Sequence, residues 1–278
     1  MESIRDTYTL HNGVVMPKLG LGVWKTKDGD EVEHAVTSAI DAGYRLIDTA
    51  SLYDNETGVG RAIAANSVDR EELFITTKVW NTDQGYQSTL DAFDVSMNKL
   101  GLEYLDLYLI HWPAPSMGLH SETWRALEEL YTSGHVRAIG VSNFQPHHID
   151  ELMTTATIAP MVNQVELHPY FQQRTAREYD DEHGIITQSW SPIGAGSGLL
   201  GESVLSQIGE AYGKSPAQVV IRWHLQHGLA VIPKSVHQQR IIENSNVFDF
   251  VISPEHMALI DGLETGERLG PDPDNVNF

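Results

Sequence analysis

A chain of 278 residues with 41% hydrophobic content can bury a full core, while a formal charge of −20 and a pI near 4.9 argue against nucleic acid or anionic membrane as partners. Both of those partners require basic surface. The absence of cysteine excludes disulfides and thiolate metal ligation, and with no signal peptide or long apolar run in view a cytoplasmic location is expected.

Thr7-Tyr8-Thr9-Leu10 and Val14-Val15-Met16 flank His11-Asn12-Gly13, and Asn-Gly between β-prone runs predicts a hairpin. Strand-like runs then alternate with helical segments. The candidate strands begin near Lys18, Leu46, Leu73, Leu105, Val136, Met161, Ile185 and Ala230. Most are separated by roughly 25 to 30 residues, the size of one βα unit.

Between them, apolar residues recur with helical period at Val32, Val36 and Ile40, at Leu90, Phe93, Met97 and Leu100, and at Trp124, Leu127 and Tyr131. Ser88, Ser121 with Glu122, and Pro146 after Gln145 read as helix starts. Gly43, Gly101, Gly134, Gly184 and Gly228 read as helix stops. The longest interval, 190–230, holds a glycine-rich stretch and two further helices, 204–212 and 216–227.

Eight parallel strands with helices between them predict an α/β fold, a (β/α)8 TIM barrel in one domain over residues 1–278, with the hairpin closing its bottom. A doubly wound open sheet is the alternative. Against it, no glycine fingerprint follows the first strand; Gly196-Ser197-Gly198-Leu199-Leu200-Gly201 fits G-x-G-x-x-G but comes too late for a two-half dinucleotide fold. That stretch reads better as a flexible loop covering a ligand.

In such a barrel the chemistry sits where the strands end. The second strand ends in Asp48, with Tyr53 just beyond in the polar loop 53–58; the third ends in Thr76-Thr77-Lys78, the fourth in His111-Trp112-Pro113. A phenol has a pKa of about 10 and works as an acid near neutrality only with help. Lys78, paired with Asp48, is expected to lower the Tyr53 pKa and make it a general acid, with His111 offering a second hydrogen bond to a substrate oxygen. The plainer reading is a structural ion pair with a tyrosine packed beside it.

Gly43-Tyr44-Arg45-Leu46-Ile47-Asp48-Thr49-Ala50 with Tyr53, Thr76-Thr77-Lys78-Val79-Trp80, Leu107-Tyr108-Leu109-Ile110-His111-Trp112-Pro113, Ile139-Gly140-Val141-Ser142-Asn143-Phe144 and Ile232-Pro233-Lys234-Ser235 together resemble the aldo-keto reductases. Within that family the chain is most similar to compact microbial members related to 2,5-diketo-gluconate reductases. The resemblance runs from about Thr7 to the tail. It implies reduction of a small aldehyde or ketone by NADPH without metal or flavin, in an enzyme that is usually a monomer, with Asp48, Tyr53, Lys78 and His111 as catalytic residues. A family member that binds NADPH in a non-catalytic or regulatory role is the alternative.

The family pattern further assigns Ser142, Asn143 and Gln164 to the nicotinamide carboxamide, Trp190 to the face of the nicotinamide ring, and Ser191 and Ile193 with the glycine-rich loop to the pyrophosphate. Lys234, Ser235, Arg240, Glu243 and Asn244 match the adenosine-phosphate site. His237 stands where relatives often carry Thr or Arg, which weakens the expected preference for NADPH and leaves NADH as a weaker substitute. Trp24, Trp80 and Trp112 follow the first, third and fourth strands and are expected to wall the substrate pocket. Little chain remains at 114–120 and 270–278 to cover it, so an open pocket for varied small carbonyls is expected.

Asn55-Glu56-Thr57 fits a glycosylation triplet but lacks the secretory context. His147-His148, Glu166 with His168, and His224 with His227 lack a third ligand at recognised spacing, so no metal site is expected. A metal-free hydrolase or isomerase using Asp48 and His111 is a further alternative, one with no use for Lys234 and Arg240 as a phosphate clamp.

Overall fold

The computed structural model describes residues 3–276. The hairpin forms where Asn-Gly places it: β1 (Thr7–Thr9) pairs antiparallel with β2 (Val15–Pro17). Leu10 and Met16 are buried beneath it, and Asn12 Nδ2 donates to Arg137 O at 3.0 Å, at the start of a barrel strand. The hairpin therefore covers the amino-terminal end of the barrel.

Eight parallel strands follow, β3 (Gly20–Gly22), β4 (Leu46–Asp48), β5 (Phe74–Val79), β6 (Leu105–Ile110), β7 (Val136–Ser142), β8 (Val162–Glu166), β9 (Ile186–Trp190) and β10 (Ala230–Val231), each hydrogen-bonded to its successor. Val231 N donates to Lys18 O at 2.9 Å, and Leu19 bridges Val231 in parallel, joining the last strand to the first. The first strand is glycine-rich for a steric reason. A Cβ on Gly20 would fall 2.2 Å from a Leu46 methyl, so only glycine lets β3 and β4 meet at this register. β5 and β6 are buried at every residue, as strands covered on both faces must be.

The helices are α1 (Asp30–Asp41), α2 (Glu56–Ala65), α3 (Tyr86–Leu100), α4 (His120–Thr132), α5 (Pro146–Met153), α6 (Arg174–Glu182), α7 (Ser203–Tyr212), α8 (Pro216–Gln226), α9 (Gln238–Ser245) and α10 (Pro254–Asp261). All five glycines expected to stop helices have positive φ, and Gly101 N donates back to Met97 O at 2.8 Å.

Two of the expected helix starts are displaced. α3 begins at Tyr86 with Gly85 at its cap, and Ser88 lies inside it, turning its hydroxyl back to Gln84 O; α4 begins at His120, ahead of Ser121. The third holds: Gln145 and His148 form a reciprocal cap around Pro146. The stretch expected as the loop 53–58 also differs, because α2 already starts at Glu56, and Asn55 and Glu56 are buried. Asn55 donates to Val23 O and Thr26 O and accepts from Thr49 Oγ1, so the glycosylation reading fails on accessibility. No helix among the described residues is long and apolar enough to cross a membrane.

Candidate active site

Among the described residues, six non-glycine residues have positive φ: Lys25, Asp54, Ala114, Asn143, Gln173 and Ser191. Every one follows a barrel strand at its carboxyl end. Backbone strain of this kind survives where surrounding contacts dictate it, and here it gathers on one face of the barrel.

On that face β4 delivers Asp48 and β5 delivers Lys78, both buried. Lys78 Nζ lies 2.6 Å from Asp48 Oδ1 and donates to Thr49 O at 2.8 Å. The other carboxylate oxygen accepts from Gln164 Nε2 at 2.7 Å, and that same amide also donates to Gln188 Oε1 at 2.7 Å. Burial pushes the Asp48 carboxyl up and the Lys78 ammonium down, and their mutual attraction opposes both shifts.

A short 3-10 turn, Ser51–Tyr53, then carries the phenol back over this pair. Ser51 Oγ donates to Lys78 O at 2.9 Å, Tyr53 N donates to Ala50 O at 3.0 Å, and Asp54 leaves the turn in a left-handed conformation. The Lys78 Nζ sits 5.1 Å from the centre of the Tyr53 ring. The direction expected for the phenol is reversed. Burial, and after it the Asp48 charge, hold the Tyr53 pKa well above its ordinary value. Tyr53 is thus a protonated donor across the neutral range, without the lowered pKa.

His111, from the end of β6, meets Tyr53 edge-on with ring centres 5.6 Å apart and Trp80 at 5.0 Å. Burial and the Lys78 charge keep its pKa well below 6.5, so the imidazole is neutral. Its Nδ1 is buried and has no hydrogen-bond partner among the described residues. A bare lone pair is tolerated there better than an unpaired N–H, which puts the ring proton on Nε2.

Ser142 and Asn143 end β7 beside this cluster. Ser142 Oγ donates to Gln164 O at 2.8 Å; Asn143 Nδ2 donates to His111 O at 2.9 Å and Ser142 Oγ at 3.1 Å. Trp190 Nε1 donates to Asn143 Oδ1 at 2.8 Å. The Gln164 side-chain oxygen Oε1 and a Ser142 lone pair are the acceptors left over, the chemistry that suits an amide NH2. Ser191 holds a positive φ and precedes Ile193, Gly194, Gly196 and Gly198, the last three also at positive φ.

Farther along the same face, Lys234, His237 and Arg240 are exposed around the start of α9, and Lys234 and Arg240 form no ion pair among the described residues. Ser235 Oγ accepts from His237 N at 3.1 Å, and Glu243 and the buried Asn244 lie on α9 itself. Tyr44 OH donates to Ile241 O at 3.0 Å and pins that helix to the barrel. Two unpaired cations at a helix start, on a chain of charge −20, suit a phosphate. The donor set therefore fits a dinucleotide, with a carboxamide at one end and a phosphate at the other.

The three tryptophans divide. Trp80 stands against His111; Trp24 is 44% exposed with Lys25 Nζ 4.2 Å above its ring; Trp112 is buried, its carbonyl accepting from Gln84 Nε2. Sequence reasoning missed Gln188, the acceptor behind Gln164, and Asn55, whose amide ties the loop after β3 to that after β4. The signal was there for Gln188: it stands two residues before the end of β9, on the face of Trp190.

The histidine pair 147–148 does gain a third neighbour. Asp274 Oδ1 lies 3.0 Å from His147 Nε2 and 3.1 Å from His148 Nε2, so the tail supplies a carboxylate that spacing along the chain did not reveal. However, His148 Nδ1 accepts from Gln145 N, which places the ring proton on Nε2, facing Asp274. Ligation through Nε2 would require breaking the helix cap. The segment expected to leave the site open is likewise held down at Asp274, and its residues 277–278 lie outside the described residues.

Residues 18–265 match the model of the Aldo/keto reductase family. The chain belongs to the aldo/keto reductase family. It is 57% identical to the 9,11-endoperoxide prostaglandin H2 reductase of Trypanosoma cruzi over 96% of this chain and 94% of that one. It is 55% identical to the glyoxal reductase of Bacillus subtilis over 99% of each. Among solved structures it is similar to a mutant of Gox0644 in complex with NADPH, with a TM-score of 0.93 and 47% identity over 98% of this chain and 99% of that one. As an aldo/keto reductase it carries its polar cluster on the barrel face where this fold places its chemistry.

Proposed function

We propose that this protein is an NADPH-dependent carbonyl reductase acting on small aldehydes, ketones and dicarbonyls. The observation that carries the reading is the pair of neutral rings, Tyr53 and His111, set edge-on to one another beside the Asp48–Lys78 pair. Similarity to a glyoxal reductase and to an NADPH complex supports both the substrate class and the cofactor.

When bound, the reduced nicotinamide supplies hydride to the carbonyl carbon. Tyr53 gives its hydroxyl proton to the carbonyl oxygen, and His111 Nε2–H holds that oxygen in place and stabilises its developing charge. Lys78, held by Asp48, stands against the Tyr53 ring and positions the phenol. Ser142, Asn143 and Gln164 would hold the carboxamide, and Trp190 would face the nicotinamide ring. Ser191, Ile193 and the glycines after them would cover the pyrophosphate. Lys234, Ser235 and Arg240 would bind the 2′-phosphate, with Glu243 and Asn244 at the adenine. Trp24, Trp80 and Trp112 wall the substrate side.

The test is consumption of NADPH, followed at the reduced-nicotinamide absorbance band, against glyoxal, methylglyoxal, keto esters, aldoses and simple aldehydes. Turnover of at least one carbonyl class is expected. NADPH binding without turnover of any would indicate a non-catalytic member, and no binding would overturn the reading altogether.

A further inference from the structure

Glu166 ends β8 and lies beside Trp190, the end of β9, in the strand register. Its carboxylate is buried to 1% exposure and fully used: Oε1 accepts from Leu269 N at 2.6 Å and faces His168 Nε2 at 3.0 Å, while Oε2 accepts from Gly270 N at 2.9 Å. Burial alone would push this carboxyl up, but those donors outweigh it and hold it below its ordinary value, so it stays ionised. Two consecutive backbone amides from the far end of the chain are thus clamped by one buried charge. Charge-assisted bonds of this kind are roughly twice as strong as neutral ones.

The clamp sets the segment against an indole. A Cβ on Gly270 would fall 2.7 Å from Cη2 of Trp190 and 2.9 Å from Glu166 Oε2, so only glycine lets the backbone lie this close to both. The same indole donates through Nε1 to Asn143 Oδ1 at 2.8 Å. Four residues on from Gly270, Asp274 is held by His147 and His148 at α5. The segment is therefore anchored at two points, to Glu166 at the end of β8 and to the histidines of α5.

We propose that Glu166 is a positioning residue for the reduction: by clamping Leu269 and Gly270 it presses the C-terminal segment onto the Trp190 indole, and through that ring it fixes Asn143 at the nicotinamide end of the cleft. The inference rests on the placement of the nicotinamide ring against Trp190. A large aromatic side chain ordered before the cofactor arrives no longer costs rotational freedom when it binds, and this is what the clamp provides.

Three variants and a double-mutant cycle test it, with NADPH affinity measured by titration calorimetry and with kcat and thermal unfolding in parallel. Glu166→Gln sets an amide NH2 against a backbone N–H and loosens the clamp from the barrel side. Gly270→Ala wedges it open from the tail side and leaves the carboxylate intact. Each is expected to raise the NADPH Kd about five- to tenfold while kcat at saturating NADPH changes less than about twofold. In a Trp190→Phe background, Glu166→Gln is expected to add less than about twofold.

A Glu166→Gln effect that persists in full on top of Trp190→Phe would overturn the proposal, as would a lowered melting temperature with an unchanged Kd in both single variants. If Trp190→Phe alone alters neither Kd nor kcat, the placement of the nicotinamide ring fails first and the proposal falls with it.

Discussion

Gln164 Nε2 donates to Asp48 Oδ2 at 2.7 Å, joining β8 to β4 across the interior of the barrel. The residue proposed to hold the carboxamide therefore also completes the shell of the carboxylate that anchors Lys78. Gln164→Met keeps the volume and removes the donor, leaving one buried carboxylate oxygen unpaired. The expected cost is about 1–3 kcal/mol of stability, read from denaturant unfolding, together with weaker NADPH binding. A variant weakened in cofactor binding but fully stable would mean that Asp48 does not depend on this bond.

Tyr53→Phe retains the ring that Lys78 and His111 face and deletes the hydroxyl with its proton. Turnover is expected to fall about 100-fold to 10,000-fold with NADPH affinity unchanged. The pH profile follows from the two shifts. Tyr53, raised well above 10, is protonated below that value, and His111, lowered well below 6.5, is neutral above it. Neither group changes charge between the two, so the reduction rate in the wild-type protein is expected to be flat across neutrality. A limb near neutral pH that vanishes in Tyr53→Phe would show that cofactor binding moves the phenol.

Lys78→Met removes one half of a buried pair and leaves Asp48 as a charge without a counter-ion. Breaking such a pair from one side costs about 3–5 kcal/mol. The double variant Lys78→Met with Asp48→Asn removes both charges and is expected to recover most of that loss while remaining without turnover. Unfolding curves of the three proteins, set beside their initial rates, separate the structural role of the pair from its chemical one.

The barrel was legible because covered parallel strands leave an unambiguous trace. Apolar runs such as those at 105–110 recur at βα-unit intervals, and glycines stop the helices between them. Asp48, Lys78 and His111 were legible for the same reason, as polar residues at the ends of such runs. What spacing could not carry was the state of the groups once assembled. The Asp48–Lys78 pair was readable from the strand ends, but not that burial and the Asp48 charge would together push the Tyr53 phenol up rather than down. Nor could a local pattern connect Glu166 to Leu269 or His148 to Asp274, since each pair is joined by the path of the tail over the barrel. Ser88 misled because a serine inside a helix and one at its cap look alike until its hydroxyl is seen bonded back to Gln84 O.

Arg240 stands exposed in the first turn of α9, without an ion pair among the described residues. If it meets the 2′-phosphate, Arg240→Ala should raise the Michaelis constant for NADPH about tenfold and leave that for NADH nearly unchanged. Added salt should erode the wild-type advantage and not that of the variant, because the contact is solvent-facing. Equal effects on both cofactors would remove Arg240 from phosphate recognition.

Asp180 provides a test of the scaffold apart from the chemistry. It is buried on α6, where its oxygens accept from Thr187 Oγ1 at 2.8 Å and Asn163 Nδ2 at 3.2 Å, and burial pushes its pKa from 3.8 up to about 7. A carboxyl whose folded pKa is raised binds its proton more tightly in the folded state than in the unfolded one. Its contribution is therefore most favourable below the unfolded value and is lost as pH rises toward the folded one. From about pH 5 to about pH 8 this single group should remove at most about 3 kcal/mol of stability from the wild-type protein. Asp180→Asn cannot ionise and retains an acceptor for Thr187, so the difference in unfolding free energy between variant and wild type should grow in the variant's favour over that range. Parallel pH dependences for the two proteins would show that Asp180 is already ionised in the fold, with Thr187 and Asn163 sufficient to hold the charge.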